Sequence, residues 1–120
     1  MIDGGDGNDQ LQGGQGDDVL SGGKEGDILL GRRNADTLHG GKGRDLLVGG
    51  PGSDNFSGKS GDDRIGLGNG SDVVFAGTGD DEVFVRPDGA VDTIDCGDGD
   101  DTVILFGRKN GIFDDCERFI

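Results

Sequence analysis

The chain has 120 residues, of which 28 are glycine and 30% are apolar, with six phenylalanines as its only aromatic residues. That is length for one domain, but too little apolar material for a conventional layered core with helices. A formal net charge of −14 excludes a general nucleic-acid footprint, disfavours an anionic membrane surface and invites cations. Composition alone would read as disordered, and the periodicity of the sequence argues against that.

No apolar run is long enough to span a membrane, and Met1-Ile2-Asp3 leads straight into the repeats without a basic and then apolar signal segment. Two options stay open: a fragment of something larger, or export without a cleaved signal. From Gly4 the chain divides into nine-residue units. They are GGDGNDQLQ, GGQGDDVLS from Gly13, GGKEGDILL from Gly22, GRRNADTLH from Gly31, GGKGRDLLV from Gly40, GGPGSDNFS from Gly49, GKSGDDRIG from Gly58, LGNGSDVVF from Leu67 and AGTGDDEVF from Ala76. Two extra residues, Val85 and Arg86, then precede PDGAVDTID from Pro87, and CGDGDDTVI from Cys96 closes the array at Ile104. Eleven units cover residues 4–104.

Two columns run through all of them. The sixth position is always aspartate: Asp9, Asp18, Asp27, Asp36, Asp45, Asp54, Asp63, Asp72, Asp81, Asp92 and Asp101. The eighth is always apolar: Leu11, Leu20, Leu29, Leu38, Leu47, Phe56, Ile65, Val74, Val83, Ile94 and Val103. A strand of three to five residues carrying one apolar knob cannot bury it alone, whereas stacked copies build a continuous core, as in solenoids. The glycines supply the tight turn. Carbonyls turned inward by such a turn, with a carboxylate at its end, make an all-oxygen cage for a hard cation. Calcium suits flexible carbonyl ligands better than magnesium does, and zinc or copper would want His and Cys that the array lacks.

Leu105 to Ile120 leaves the period and carries Phe106, Ile112, Phe113, Phe119 and Ile120. It is expected to act as a cap over the last turn, since a solenoid end exposes both strand edge and core. The N-terminus shows no such cap, which favours truncation or an upstream partner domain.

The units resemble the hemolysin-type calcium-binding repeats of the RTX family. That resemblance implies an all-β fold, a right-handed parallel β-roll (a β-solenoid) with two nonapeptide repeats per turn. It also implies calcium held between a loop and the loop eighteen residues later. One edge would then stack Asp9, Asp27, Asp45, Asp63 and Asp81, with Asp101 following after the insertion; the other would stack Asp18, Asp36, Asp54, Asp72 and Asp92. The metal ligands expected on this basis are Asp9, Asp18, Asp27, Asp45, Asp54, Asp63, Asp72, Asp81 and Asp101, with Asp45/Asp63, Asp63/Asp81 and Asp54/Asp72 as the leading pairs. Three loops depart from the pattern. Gly31-Arg32-Arg33-Asn34-Ala35-Asp36 lacks two of three glycines and brings two guanidinium groups that could replace calcium, Glu25 stands in a glycine position before Asp27, and Pro87 to Asp92 is irregular.

Carboxylates stacked at strand spacing lie roughly 5 Å apart. At that range a pair of like charges costs about 1 kcal/mol in water and several at an effective dielectric near 20. Calcium binding is therefore expected to be coupled to folding. Cys96 and Cys116, the two cysteines, bracket the last segment. Their pairing would pin it to the last repeat, contributing on the order of 3 kcal/mol; the alternative is two unpaired thiols. CGDGDDTV followed by DDCE resembles a terminal cap of secreted bacterial repeat proteins, and a disulfide fits an oxidising compartment.

Other motifs have plainer readings. The glycines of Gly66 to Gly70 belong to the repeat and not to a nucleotide loop. The sequons Asn55-Phe56-Ser57 and Asn69-Gly70-Ser71 fall where the repeat places variable residues, and His39, the sole histidine, reads as an outward surface residue. Ile28, Leu30, Leu46 and Val48 flank inward knobs and should point outward side by side. They form an interaction patch for a missing N-terminal domain or another subunit, or else are covered by Arg and Lys stems.

Two functions remain. One is a calcium-binding, calcium-folded, extracellular module with a structural, stabilising or export-assisting role and no catalysis. The other is an adhesive β-solenoid binding a surface or glycan, although the outward residues Thr37, His39, Asn55, Ser57, Val73, Phe75 and Thr93 form no uniform ladder. No nucleophile, base and orienting group stand out together, so the chain does not read as an enzyme.

Overall fold

The structure is a computed structural model that describes residues 1–107 and 111–120. Every regular element among them is a strand. In chain order these are β1 (Ile2–Asp6), β2 (Gln10–Gly14), β3 (Val19–Lys24), β4 (Ile28–Arg32), β5 (Thr37–Lys42), β6 (Leu46–Pro51), β7 (Asn55–Ser60), β8 (Arg64–Asn69), β9 (Val73–Phe75), β10 (Glu82–Val85), β11 (Asp92–Asp95), β12 (Thr102–Leu105), β13 (Gly111–Asp114) and β14 (Arg118–Phe119). Odd-numbered strands form one seven-stranded sheet and even-numbered strands the other, each strand pairing in parallel with the one a full turn away. The result is a flattened β-roll of 36 × 30 × 16 Å.

The register follows the nine-residue period. Leu38 pairs with Leu20 and Phe56, and Leu47 with Leu29 and Ile65, a step of eighteen residues. Val85 and Arg86 lengthen that step once, so that Val83 meets Val103 and Val74 meets Ile94, twenty residues apart. Both sheets absorb the insertion without losing register.

All eleven eighth-position residues are buried between the sheets, from Leu11 to Val103, each contributing about 1.5–3 kcal/mol by burial. A second inward column was not legible in the sequence. Strands such as β6 run to six residues, across the boundary between units, so the first residue of a unit such as Gly49 also points inward. Glycine fills that column in the early units. Later ones place Leu67, Ala76 and Cys96 there, and Val85 of the insertion is likewise buried.

The ladder extends beyond residues 4–104. Ile2 pairs with Leu20 and packs on the core from β1. Residues 105–120, expected only to cover the end, add a strand to each sheet: β13 alongside β11 and β14 alongside β12. Phe113 stands in register with Ile94 and Phe119 with Val103. Their rings meet edge to face, with centroids 5.2 Å apart. Cys96 and Cys116 form a disulfide with Cα atoms 5.1 Å apart, tying this turn to the one before.

Candidate metal centre

The loop after each strand from β1 to β11 ends in an aspartate, and the carboxylates stack along both edges of the roll. Asp27, Asp36, Asp45, Asp54, Asp63, Asp72, Asp81, Asp92 and Asp101 are all 3% exposed or less, an unusual fate for the residue type that gives this chain its charge. The stacking is directional. The backbone N–H of Asp9 donates to Asp27 Oδ1, that of Asp27 to Asp45 Oδ1, Asp45 to Asp63, Asp63 to Asp81 and Asp81 to Asp101, each at 2.8 Å. On the other edge Asp18 donates to Asp36, Asp36 to Asp54 and Asp54 to Asp72 at 2.8 Å, and Asp72 to Asp92 at 3.0 Å.

One carboxylate oxygen is thus engaged with the neighbouring turn, and the other is not. Oδ2 of Asp9, Asp18, Asp27, Asp36, Asp45, Asp54, Asp63, Asp72, Asp81 and Asp101 is buried without a hydrogen-bond partner. Asp92 is absent from this set. A buried acceptor left unpaired costs about 1–3 kcal/mol, more if charged, so ten of them in two columns call for a common partner.

Beside the orphaned oxygens of Asp9, Asp18, Asp27, Asp45, Asp54 and Asp63 lies a carbonyl from the next turn. The position a β-carbon would take on Gly4 is 2.6 Å from Asp9 Oδ2 and 2.7 Å from Gly22 O; for Gly13 the corresponding distances to Asp18 Oδ2 and Gly31 O are 2.7 and 2.8 Å. In these early units glycine leaves the two oxygens room; later units carry Leu67, Ala76 and Cys96 at that position beside the equally orphaned Asp72, Asp81 and Asp101. Among the described residues no three His, Cys, Asp or Glu side chains converge, so a cation here would draw on carboxylate oxygens together with backbone carbonyls. That donor set fits calcium, a hard ion taking six to eight oxygens. It does not fit zinc or copper, which favour His and Cys.

The bare carboxylates are held far from their ordinary acidity. Burial is the main cause, opposed by the N–H from the preceding turn and reinforced by neighbouring aspartates. It pushes Asp63 up to about 8, Asp72 and Asp81 to about 7, and Asp54 and Asp101 to about 6. Asp27, Asp36, Asp45 and Asp92 are raised for the same leading reason.

The irregular loops keep the path of the regular ones. Glu25, Arg32, Asn34 and Lys59 occupy glycine positions with φ of 71°, 89°, 78° and 79°, a conformation that costs a non-glycine residue about 1–3 kcal/mol. In regular loops the fourth-position N–H donates to a carbonyl of the next turn, as Gly43 does to Ser60 at 3.0 Å and Gly52 to Asn69 at 2.9 Å. Where the pattern breaks, a side chain accepts instead: Glu25 from Gly7, Asn34 from Gly16 and Asp88 from Gly70. The two guanidinium groups of the Asp36 loop point elsewhere. The Arg32 guanidinium donates to Gln12 Oε1 at 3.2 Å, and among the described residues neither Arg32 nor Arg33 pairs with Asp18 or Asp36. Asp36 has the same orphaned oxygen as its neighbours.

Sequence reasoning missed two contributors. Fifth-position side chains bridge turns: Asp62 Oδ1 accepts from Asp80 N, and Asp80 Oδ1 from Asp100 N, both at 2.9 Å. Glu117 Oε2 accepts from Asp101 N at 3.0 Å, taking the place of the aspartate that a further unit would supply. The signal was present in Glu117-Arg118-Phe119, an acid two residues before an apolar residue that stands in register with Val103.

Parallel strands wound into two sheets, with buried carboxylates and carbonyls lining both edges, define a β-roll of the cation-binding repeat class. A family model of four copies of the RTX calcium-binding nonapeptide repeat matches residues 1–29, 30–65 and 48–83. The chain belongs to the RTX calcium-binding repeat family. No curated protein and no solved structure matches it.

Proposed function

We propose that this chain is a calcium-folded module of a secreted protein, acting as scaffold, stabiliser or export aid without chemistry of its own. The observation carrying the reading is the column of buried carboxylate oxygens that no group of the protein satisfies. Asp9, Asp18, Asp27, Asp45, Asp54, Asp63, Asp72, Asp81 and Asp101 would each share an ion with the loop one turn away. Secretion is supported by the disulfide, which persists in oxidising compartments. Residues 105–120 act as the cap.

Replacing Asp63 by Asn keeps its shape and its Oδ1 bond while removing the charge. Calorimetry is expected to show fewer calcium ions bound, or at least about tenfold weaker binding, with Asp3→Asn on the exposed N-terminal strand unaffected. Equal stoichiometry and affinity in both variants would count against Asp63 as a ligand.

Ile28 and Leu46, and Leu30 and Val48, are cross-strand pairs on the outer face of β4 and β6, with Leu46 37% exposed. On this reading they face an upstream domain or another subunit. Leu30→Thr with Val48→Thr is expected to weaken that association in a sedimentation or co-purification assay; association unchanged in the double variant dismisses the patch.

A further inference from the structure

Four residues in the repeats hold a left-handed conformation that glycine would adopt without strain. Three have a partner for the side chain: Glu25 and Asn34 accept N–H groups, and Arg32 bonds Gln12. Lys59 has none. Its side chain is exposed, and no ion pair or hydrogen bond engages its ammonium among the described residues. The strain at Lys59 is therefore not explained by anything its side chain does inside the roll.

Its surroundings are also exceptional. Lys24 pairs in register with Lys42, and Lys59 stands opposite Gly41 on the next strand, one residue out of line with Lys42, so three lysines come from three adjacent strands. Like charges directly opposite each other oppose sheet formation. They line one groove of about 510 Å³ together with Ser21, Ser60 and a single carboxylate, Asp6. Asp6 is taken by Lys24 at 3.7 Å. Lys42 has no ion-pair partner, and the hydroxyls of Ser21 and Ser60 have no hydrogen-bond partner, among the described residues. In a chain with 25 acidic and 11 basic residues, two unneutralised lysines beside unused hydroxyl donors form a pocket of opposite character to the rest of the molecule.

We propose that this groove binds a tetrahedral oxyanion, a sulfate or phosphate group, free or carried on a sugar. Lys42 and Lys59 supply charge, and the Ser21 and Ser60 hydroxyls donate to its oxygens. Lysine serves such groups as a point charge, and the groove is large enough for a sugar ring around the ion. The site lies on the outer surface and uses none of the buried aspartates.

The test is an amide NMR titration of the calcium-loaded chain with sodium sulfate and with a sulfated N-acetylglucosamine, against sodium chloride at matched ionic strength. Saturable shifts centred on Ser21, Lys42, Lys59 and Ser60 are expected. Tighter binding of the sugar sulfate identifies a carried group and equal binding a free ion; either upholds the site. Lys59→Gly is the informative variant, because it removes the charge and relieves the backbone at once. It should bind sulfate about tenfold more weakly while melting at the same temperature or higher, and Lys42→Gln should weaken binding similarly. Shifts no different from those in chloride, or unchanged affinity in both variants, overturn the proposal.

Discussion

Alanine in place of Gly61 is expected to cost the calcium-loaded chain several kcal/mol, enough to consume much of the roughly 5–15 kcal/mol that a domain has in reserve. Gly61 has φ of 119°, which a side chain adopts only at a cost of about 1–3 kcal/mol. A β-carbon there would also overlap the carbonyl group of Gly43 in the preceding turn, forcing apart two turns that the Gly43 N–H helps to hold by donating to Ser60 O at 3.0 Å. Gly66 is the matched control. It lies within β8, its φ is not positive, and the nearest atom to an added β-carbon is Val48 Cγ2 at 3.9 Å. Gly66→Ala should be neutral or stabilising by about 0.5–1 kcal/mol. Denaturant unfolding of the two variants in excess calcium separates them; equal midpoints would mean that the turns are not packed as closely as described.

Without calcium, acid should favour the roll and alkali should oppose it. The buried aspartates have folded-state pKa values above the ordinary 3.8, reaching about 8 at Asp63 and about 7 at Asp72 and Asp81. For a carboxyl raised on folding, the stability linked to its proton is complete below the unfolded value and is lost as pH rises through the folded one. The window therefore runs from about pH 4 to about pH 8. A tenfold change in the acidity of one carboxyl corresponds to about 1.4 kcal/mol, and several carboxyls act together. In chelator, circular dichroism is expected to show β structure near pH 5 that fades toward pH 8, and calcium added at neutral pH should release protons. A chelated chain whose β signal is flat over that range, or grows with pH, contradicts this assignment of the buried carboxyls.

Much of this architecture is visible in the one-dimensional pattern, because a parallel roll repeats its environment every turn. A residue such as Leu47 sees Leu29 and Ile65 at fixed offsets, so burial leaves a strict period in the sequence, and Asp45 and Asp63 meet for the same reason. The second inward column was hidden because glycine, which occupies it from Gly4 to Gly58, carries no apolar signal; only Leu67, Ala76 and Cys96 expose it. The last turn was hidden for a different reason. Glu117 does the work of an aspartate with a longer side chain, and β13 and β14 arrive at an irregular interval after β12. The loops at Glu25 and Arg32 depart from the pattern in composition but not in path, because the stacking of neighbouring turns holds those residues in the glycine conformation. The groove around Lys59 could not be read at all, since it depends on which side chains lack partners.

The central claim is that the unsatisfied carboxylate columns make the fold depend on calcium, and far-UV circular dichroism at neutral pH tests it most directly. The chain is expected to be largely disordered in chelator and to gain the full β-sheet signal cooperatively as calcium reaches the millimolar range, with magnesium at equal concentration failing to substitute. Full β structure in chelator at neutral pH, unchanged when calcium is added, would contradict it.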